Sequence, residues 1–193
     1  RPVCDFYDCV LRRRCSQSPR MKFNHLAASL LLLLSIAAQA QTPAPAVKPA
    51  APAVKMPPQP PDVAAQKFGP DGKVNPGFAA AHERFVKIAQ EGKAQLVFLG
   101  DSITAGWGKQ MEIWDKAFGP YQPANFGIGG DRTQHVLWRI TNGELDGIKP
   151  KAAVLMIGTN NTSTDTAEGI AKGVTVIVET IRAKQPQAKI LLL

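Results

Sequence analysis

One unit recurs through residues 95–193: a short apolar run of strand length, a polar or glycine-bearing cluster, then apolar residues at helical spacing. Residues 95–99 (QLVFL) lead into Gly100-Asp101-Ser102-Ile103-Thr104. Residues 124–126 lead into Gly127-Ile128-Gly129-Gly130-Asp131. Residues 152–157 (AAVLMI) lead into Gly158-Thr159-Asn160-Asn161, and residues 189–193 (KILLL) form a fourth run. Strands alternating with helices predict an α/β domain, a three-layer parallel sheet with helices on both faces. The continuous apolar run 152–157 predicts a strand covered on both faces, and 189–193 predicts the start of another buried strand. Ligands of such sheets sit beyond the carboxyl ends of the strands, where the three polar clusters fall.

The helices are marked as clearly. Asn75-Pro76 supplies a cap and a proline at the first helical position. Phe78, Ala81, Phe85, Ile88 and Ala89 then share one face, and Gly92 ends the segment. A second helix, or a helical turn, is expected over 111–118 with Ile113, Trp114 and Ala117 turned inward. A third is expected over 133–140, closed by Asn142-Gly143. Ile170, Val174, Ile177, Val178 and Ile181 line a fourth, which Pro186 terminates.

The sequence ahead of this pattern has a different character. Residues 42–61 contain eight of the sixteen prolines, and APAVK occurs twice, at 44–48 and 51–55. Such composition predicts an extended tether over 41–65, with the compact domain spanning 66–193. Residues 21–40 have the parts of a secretory signal: Met21, a basic Lys22, the 13 apolar-rich residues 26–38, and Ala38-Gln39-Ala40 as a small-x-small cleavage site. That run is short of the roughly 20 residues that span a bilayer, so no stable membrane anchor is expected and a secreted or periplasmic location is. Residues 1–20 hold all three cysteines (Cys4, Cys9, Cys15) and precede the first methionine, which reads as a non-native upstream extension. A small disulfide or metal knot is the alternative, for which three cysteines without a nearby histidine supply too few partners.

The net charge of +8 is unevenly placed. Residues 1–40 carry six basic and two acidic residues, half of the excess, and the rest is spread without a run. No electrostatic footprint for nucleic acid results.

Ser102 follows the first strand at a strand-to-helix turn. There its hydroxyl stands at the sheet rim and its N–H is free to stabilise an oxyanion. A helix-capping serine is the competing reading. The G-x-S-x-G elbow is absent, which disfavours the α/β-hydrolases. Gly127-Ile128-Gly129-Gly130 lets backbone N–H groups approach a ligand, but it lacks the third glycine of a dinucleotide loop, and no phosphate-binding G-x-x-x-x-G-K-[ST] occurs. A flexible turn remains open there. Asn160 is either a turn former or an uncharged donor toward developing negative charge.

GDSIT, NFGIGGDRTQHVLWRI and VLMIGTNN, in this order and spacing, resemble the first three blocks of the SGNH/GDSL hydrolases. The second block, with the NGELDGIKPK after it, is similar above all to catalytic subunits of platelet-activating-factor acetylhydrolase and their bacterial relatives. The resemblance covers about residues 75–193 and implies a flavodoxin-like SGNH hydrolase fold, incomplete at its C-terminus. It implies that Ser102 is the nucleophile, that Ser102, Gly130 and Asn160 form the oxyanion hole, and that no cofactor or metal is required. It also implies a general base and its orienting acid from an Asp-x-x-His block, which does not occur in these 193 residues.

His82 and His135 are expected to pack on helices rather than to replace that base. Asp101 is expected to brace its turn, and Trp107, Trp114 and Trp138 to serve the core. The expectation is therefore a serine esterase for a small acyl ester, an acetylated sugar or a lipid, inactive over this span alone, with its oligomeric state undetermined. A non-catalytic ligand-binding α/β module and a non-functional truncated product are the alternatives.

Overall fold

The computed structural model describes residues 58–193. The signal-like segment, the upstream extension and most of the proline-rich tether lie outside the described residues. The elements follow in the order α1 (Pro76–Gln90), β1 (Leu96–Gly100), α2 (Ser102–Ala105), α3 (Met111–Phe118), β2 (Pro123–Gly127), α4 (Thr133–Thr141), β3 (Ala152–Met156), α5 (Ala167–Lys184) and β4 (Lys189–Leu192). The four strands form one parallel sheet in the order β2-β1-β3-β4. After β1 the chain crosses to one side, and after β2 it returns past β1 to the other. The strand order thus reverses beside β1, and in open α/β sheets that reversal leaves a crevice for ligands.

α1 begins as the sequence predicts: the Asn75 side chain accepts a hydrogen bond from the Phe78 N–H, and Pro76 occupies the first position. Its buried residues, Phe78, Ala81, Phe85 and Ala89, join Val136, Leu137 and Ile140 of α4 and Ile177 and Ile181 of α5 in one core. That core covers the sheet face formed by Val97, Leu99, Ala124, Phe126, Ala153 and Leu155. Side chains alternate along a strand, so Leu96, Phe98, Val154 and Met156 face the other way. There Phe98 packs on Trp114 and Phe118 of α3, with ring centroids 4.7 and 4.9 Å apart.

The second face is only partly roofed, and three expectations fail for that reason. β3 alternates between buried and half-buried residues instead of being enclosed on both sides. α3 turns in only Trp114 and Phe118, one helical turn apart, while Ile113 is 55% exposed and Ala117 is also exposed. β4 is not buried: Leu191, Leu192 and Leu193 are 55%, 51% and 66% exposed, because among the described residues nothing pairs or covers that edge. The three tryptophans also differ. Trp114 is buried, Trp138 packs against the main core, and Trp107 is half-buried against Trp114 and Phe118.

The stretch before α1 is seated on the helices rather than free of them. Pro61 is buried and its carbonyl accepts from Thr133 Oγ1 at 2.8 Å; the Gln59 carbonyl accepts from Gln134 Nε2 at 3.1 Å. Packing therefore starts ahead of Gln66. Gly173 on α5 makes this possible, since a Cβ there would lie 2.5 Å from the Pro61 oxygen. Among the described residues no helix is long and apolar enough to cross a membrane.

Candidate active site

Ser102 is exposed, two residues past the end of β1 and at the start of α2. Asp101 beside it is buried and holds the turn: Oδ1 accepts from the Ile103 N–H at 2.9 Å. The capping role thus belongs to Asp101, which leaves the Ser102 hydroxyl without a hydrogen-bond partner among the described residues. α2 can lie this close to β2 because Gly127 has no side chain. A Cβ at Gly127 would sit 2.3 Å from the Ala105 nitrogen. Asn125 completes the junction, donating to the Thr104 carbonyl at 2.9 Å and accepting from the Gly127 N–H at 2.9 Å.

The second cluster folds over toward the same point. Ile128 N–H donates to the Gly100 carbonyl at 3.1 Å, which ties the loop to the end of β1. A Cβ added at Gly129 would be 3.8 Å from the Ser102 Cβ. Gly130 has φ of 73°, the left-handed region that favours glycine. Asn160, past the end of β3, joins the clusters: its Nδ2 donates to the Asp131 carbonyl at 2.8 Å and to Asp101 Oδ2 at 3.2 Å. The three candidate residues thus lie at neighbouring strand ends. Both N–H bonds of the Asn160 amide are, however, occupied within the protein. Asn161 does different work. It is buried, accepts from the Thr133 N–H, and donates to Gln134 and Asp165.

Beneath this rim lies a charged centre that sequence reasoning missed. Arg139 of α4 is fully buried. Its Nε donates to Asp131 Oδ2 at 3.0 Å, one terminal nitrogen grips both Glu144 oxygens, and the other donates to the Gly100 carbonyl at 3.4 Å. Asp131, Arg139 and Glu144 recur at a spacing a helix and its following turn bring together. That spacing was the available signal, but an exposed charged face would read the same way. Burial pushes the Asp131 carboxyl up to about 6, against the pull of the Arg139 and Lys67 charges. Its Oδ1 makes no hydrogen bond among the described residues, with Lys67 Nζ at 3.7 Å and His135 Nδ1 at 3.9 Å.

Neither described histidine is hydrogen-bonded to Ser102. His135 is buried and its Nδ1 accepts from the Arg132 N–H at 3.1 Å, closing the first turn of α4. Burial, reinforced by the Lys67, Arg132 and Arg139 charges, drives its imidazole down to about 3, so it is neutral at physiological pH. His82 lies against Trp138, with ring centroids 4.8 Å apart, and its Nδ1 is 3.7 Å from Glu144.

A cleft of about 550 Å³ opens beside Gly130, lined by Lys67, Phe68, Arg132 and His135 among others. A second, more apolar space of about 650 Å³ lies against the partly roofed sheet face, between Trp107, Phe118, Val154 and Leu191. Among the described residues no group of three or more His, Cys, Asp or Glu is placed to hold a metal ion.

Residues 98–193 match the GDSL-like Lipase/Acylhydrolase family. The chain is 49% identical over 112 residues to human platelet-activating factor acetylhydrolase IB subunit alpha2, a stretch covering 58% of this chain and 48% of that protein. It is 47% identical over 112 residues to the rat alpha1 subunit, with 58% and 47% covered. It therefore spans about half the length of the curated relatives it matches. A solved structure from Streptococcus pneumonia, provisionally described as a platelet activating factor, superposes with a TM-score of 0.50 at 19% identity, over 60% of this chain and 53% of that one. That likeness concerns the fold alone. The sequence match and the parallel α/β sheet together make residues 98–193 similar to the GDSL-like lipase/acylhydrolase family.

Proposed function

We propose that Ser102 is the nucleophile of a serine ester hydrolase. Its oxygen attacks the carbonyl of a short acyl ester, the alcohol leaves, and water then releases the acyl group from the serine. The observation that carries the reading is the exposed Ser102, its hydroxyl without a hydrogen-bond partner among the described residues, beside Gly129-Gly130 at the strand-order reversal. The N–H groups of Ser102 and Gly130 and the Asn160 amide would hold the negative charge on the former carbonyl oxygen. Asn160 supplies its share by giving up the longer contact to Asp101 while keeping the one to the Asp131 carbonyl.

The substrate class is an acetyl or similarly short ester of a lipid or sugar, in keeping with the acetylhydrolase names of the relatives. Secretion or a periplasmic location belongs to the same proposal and rests on the signal-like residues 21–40. Serine needs a neighbouring base, and among the described residues neither His82 nor His135 is hydrogen-bonded to Ser102. The 193-residue chain alone is therefore expected to be inactive, and a form bearing an Asp-x-x-His segment after Leu193 to be active. p-Nitrophenyl acetate hydrolysis, compared with a Ser102→Ala control in both forms, tests this. Turnover that persists in Ser102→Ala sinks the nucleophile assignment. A form with the Asp-x-x-His segment that binds esters without turning them over favours the non-catalytic module.

A further inference from the structure

The segment before α1 brings one cation to the loop that carries Gly130. Lys67 Nζ donates to the Gly129 carbonyl at 2.5 Å and stands 3.7 Å from Asp131 Oδ1. Its backbone is pinned on both sides. Ala65 N–H donates to the Gln134 carbonyl at 3.1 Å, and the Lys67 carbonyl accepts from the N–H of Asn75, the cap of α1, at 2.7 Å. Phe68 and Val74 pair across the intervening turn. The ammonium therefore projects from a fixed mount, with its side chain only 20% exposed.

The Gly129 carbonyl and the Gly130 N–H belong to one peptide unit. That unit is planar and, like every peptide bond among the described residues, trans. Its C=O and N–H point in opposite directions, so holding the oxygen aims the N–H. Two adjacent glycines leave this peptide free to rotate between orientations of similar energy, since neither has a Cβ to favour one. A cation on the oxygen also draws electron density from the nitrogen, which makes the N–H a stronger donor.

We propose that Lys67 is a positioning residue: by gripping the Gly129 carbonyl it fixes and polarises the Gly130 N–H as an oxyanion donor. The role rests on the esterase reading for its catalytic meaning, though the grip on the peptide stands apart from it. Lys67 touches neither the ester nor Ser102, and it acts through the peptide alone. Asp131, whose Oδ1 faces the ammonium, keeps the lysine on the loop side of the cleft.

Backbone ¹⁵N relaxation of the full chain tests the grip without any activity. The Gly130 N–H order parameter is expected near about 0.85 in the parent, to fall toward about 0.6 in Lys67→Met, and to recover in Lys67→Arg, which can grip the same oxygen. Amides of α1 and α5 serve as the control for global loosening. A Gly130 order parameter unchanged in Lys67→Met overturns the proposal. In the form bearing an Asp-x-x-His segment, Lys67→Met is expected to lower kcat about 10- to 100-fold with KM unchanged, less than outright loss of a donor. A raised KM with parental kcat would make Lys67 a substrate contact and overturn the positioning role. If the parent itself shows no Ser102-dependent turnover, the esterase reading fails, and the order parameters still decide whether Lys67 sets the peptide.

Discussion

The Ser102 turn and the Arg139 centre meet at the Gly100 carbonyl, yet they are built in opposite ways. Ser102 is exposed, and its hydroxyl has no protein partner among the described residues. Arg139 is wholly buried and joins Asp131, Glu144 and the end of β1. A reacting atom must be reachable and free of competing bonds. The groups that hold its neighbours need the reverse, since charge withdrawn from water is costly unless an opposite charge is held against it. Chemistry and stability should therefore separate between two sites one carbonyl apart.

The largest effect tests the first half of that separation. Ser102→Ala is expected to abolish Ser102-dependent ester hydrolysis in a form with the Asp-x-x-His segment, with urea-measured stability within about 0.5 kcal/mol of the parent. A stability loss of several kcal/mol would return Ser102 to a capping role. Arg139→Ala tests the other half. It leaves Asp131 and Glu144 buried without their cation and should cost about 3–5 kcal/mol in urea denaturation. A cost near zero would mean that water reaches the centre.

Asn160→Ala falls between the two, because the side chain bridges the strand ends and is also the proposed third oxyanion donor. A drop in kcat of about 10²–10³ is expected, with a stability loss of about 1–2 kcal/mol. Stability loss with full kcat would show the bridge to be its whole role.

Acid titration resolves the buried groups beneath the loop. The His135 imidazole is lowered to about 3 in the folded protein, so the unfolded chain binds its proton first and stability rises with pH from about 3 to 6.5. Asp131 is raised to about 6, so the folded state holds its proton longer and stability falls with pH between about 4 and 6. The His135 displacement is the larger of the two, so the net change across this window is a rise. His135→Asn keeps an acceptor for the Arg132 N–H and should turn the rise into a fall over that window.

The smallest effect concerns the edge. Leu191→Lys should change stability by about 0.5 kcal/mol or less while reducing self-association seen by light scattering, since a charge on an exposed strand discourages edge pairing.

Periodicity and punctuation alone located all four strands, the four longer helices and the Asn75-Pro76 start of α1, because those signals are local: they depend on residues within one or two turns of each other. The same locality placed Ser102, Gly130 and Asn160 at strand ends. What the sequence could not convey was coverage and direction. A run such as residues 152–157 or 189–193 is equally apolar whether one face or both is roofed, and only the packed elements decide that β3 alternates and β4 stands open. The Arg139 ion pairs, the occupied Asn160 amide and the Lys67 grip on Gly129 were likewise decided by tertiary structure. Each joins residues distant in the chain, or gains its force from the removal of water, and a residue's own neighbours in sequence report neither.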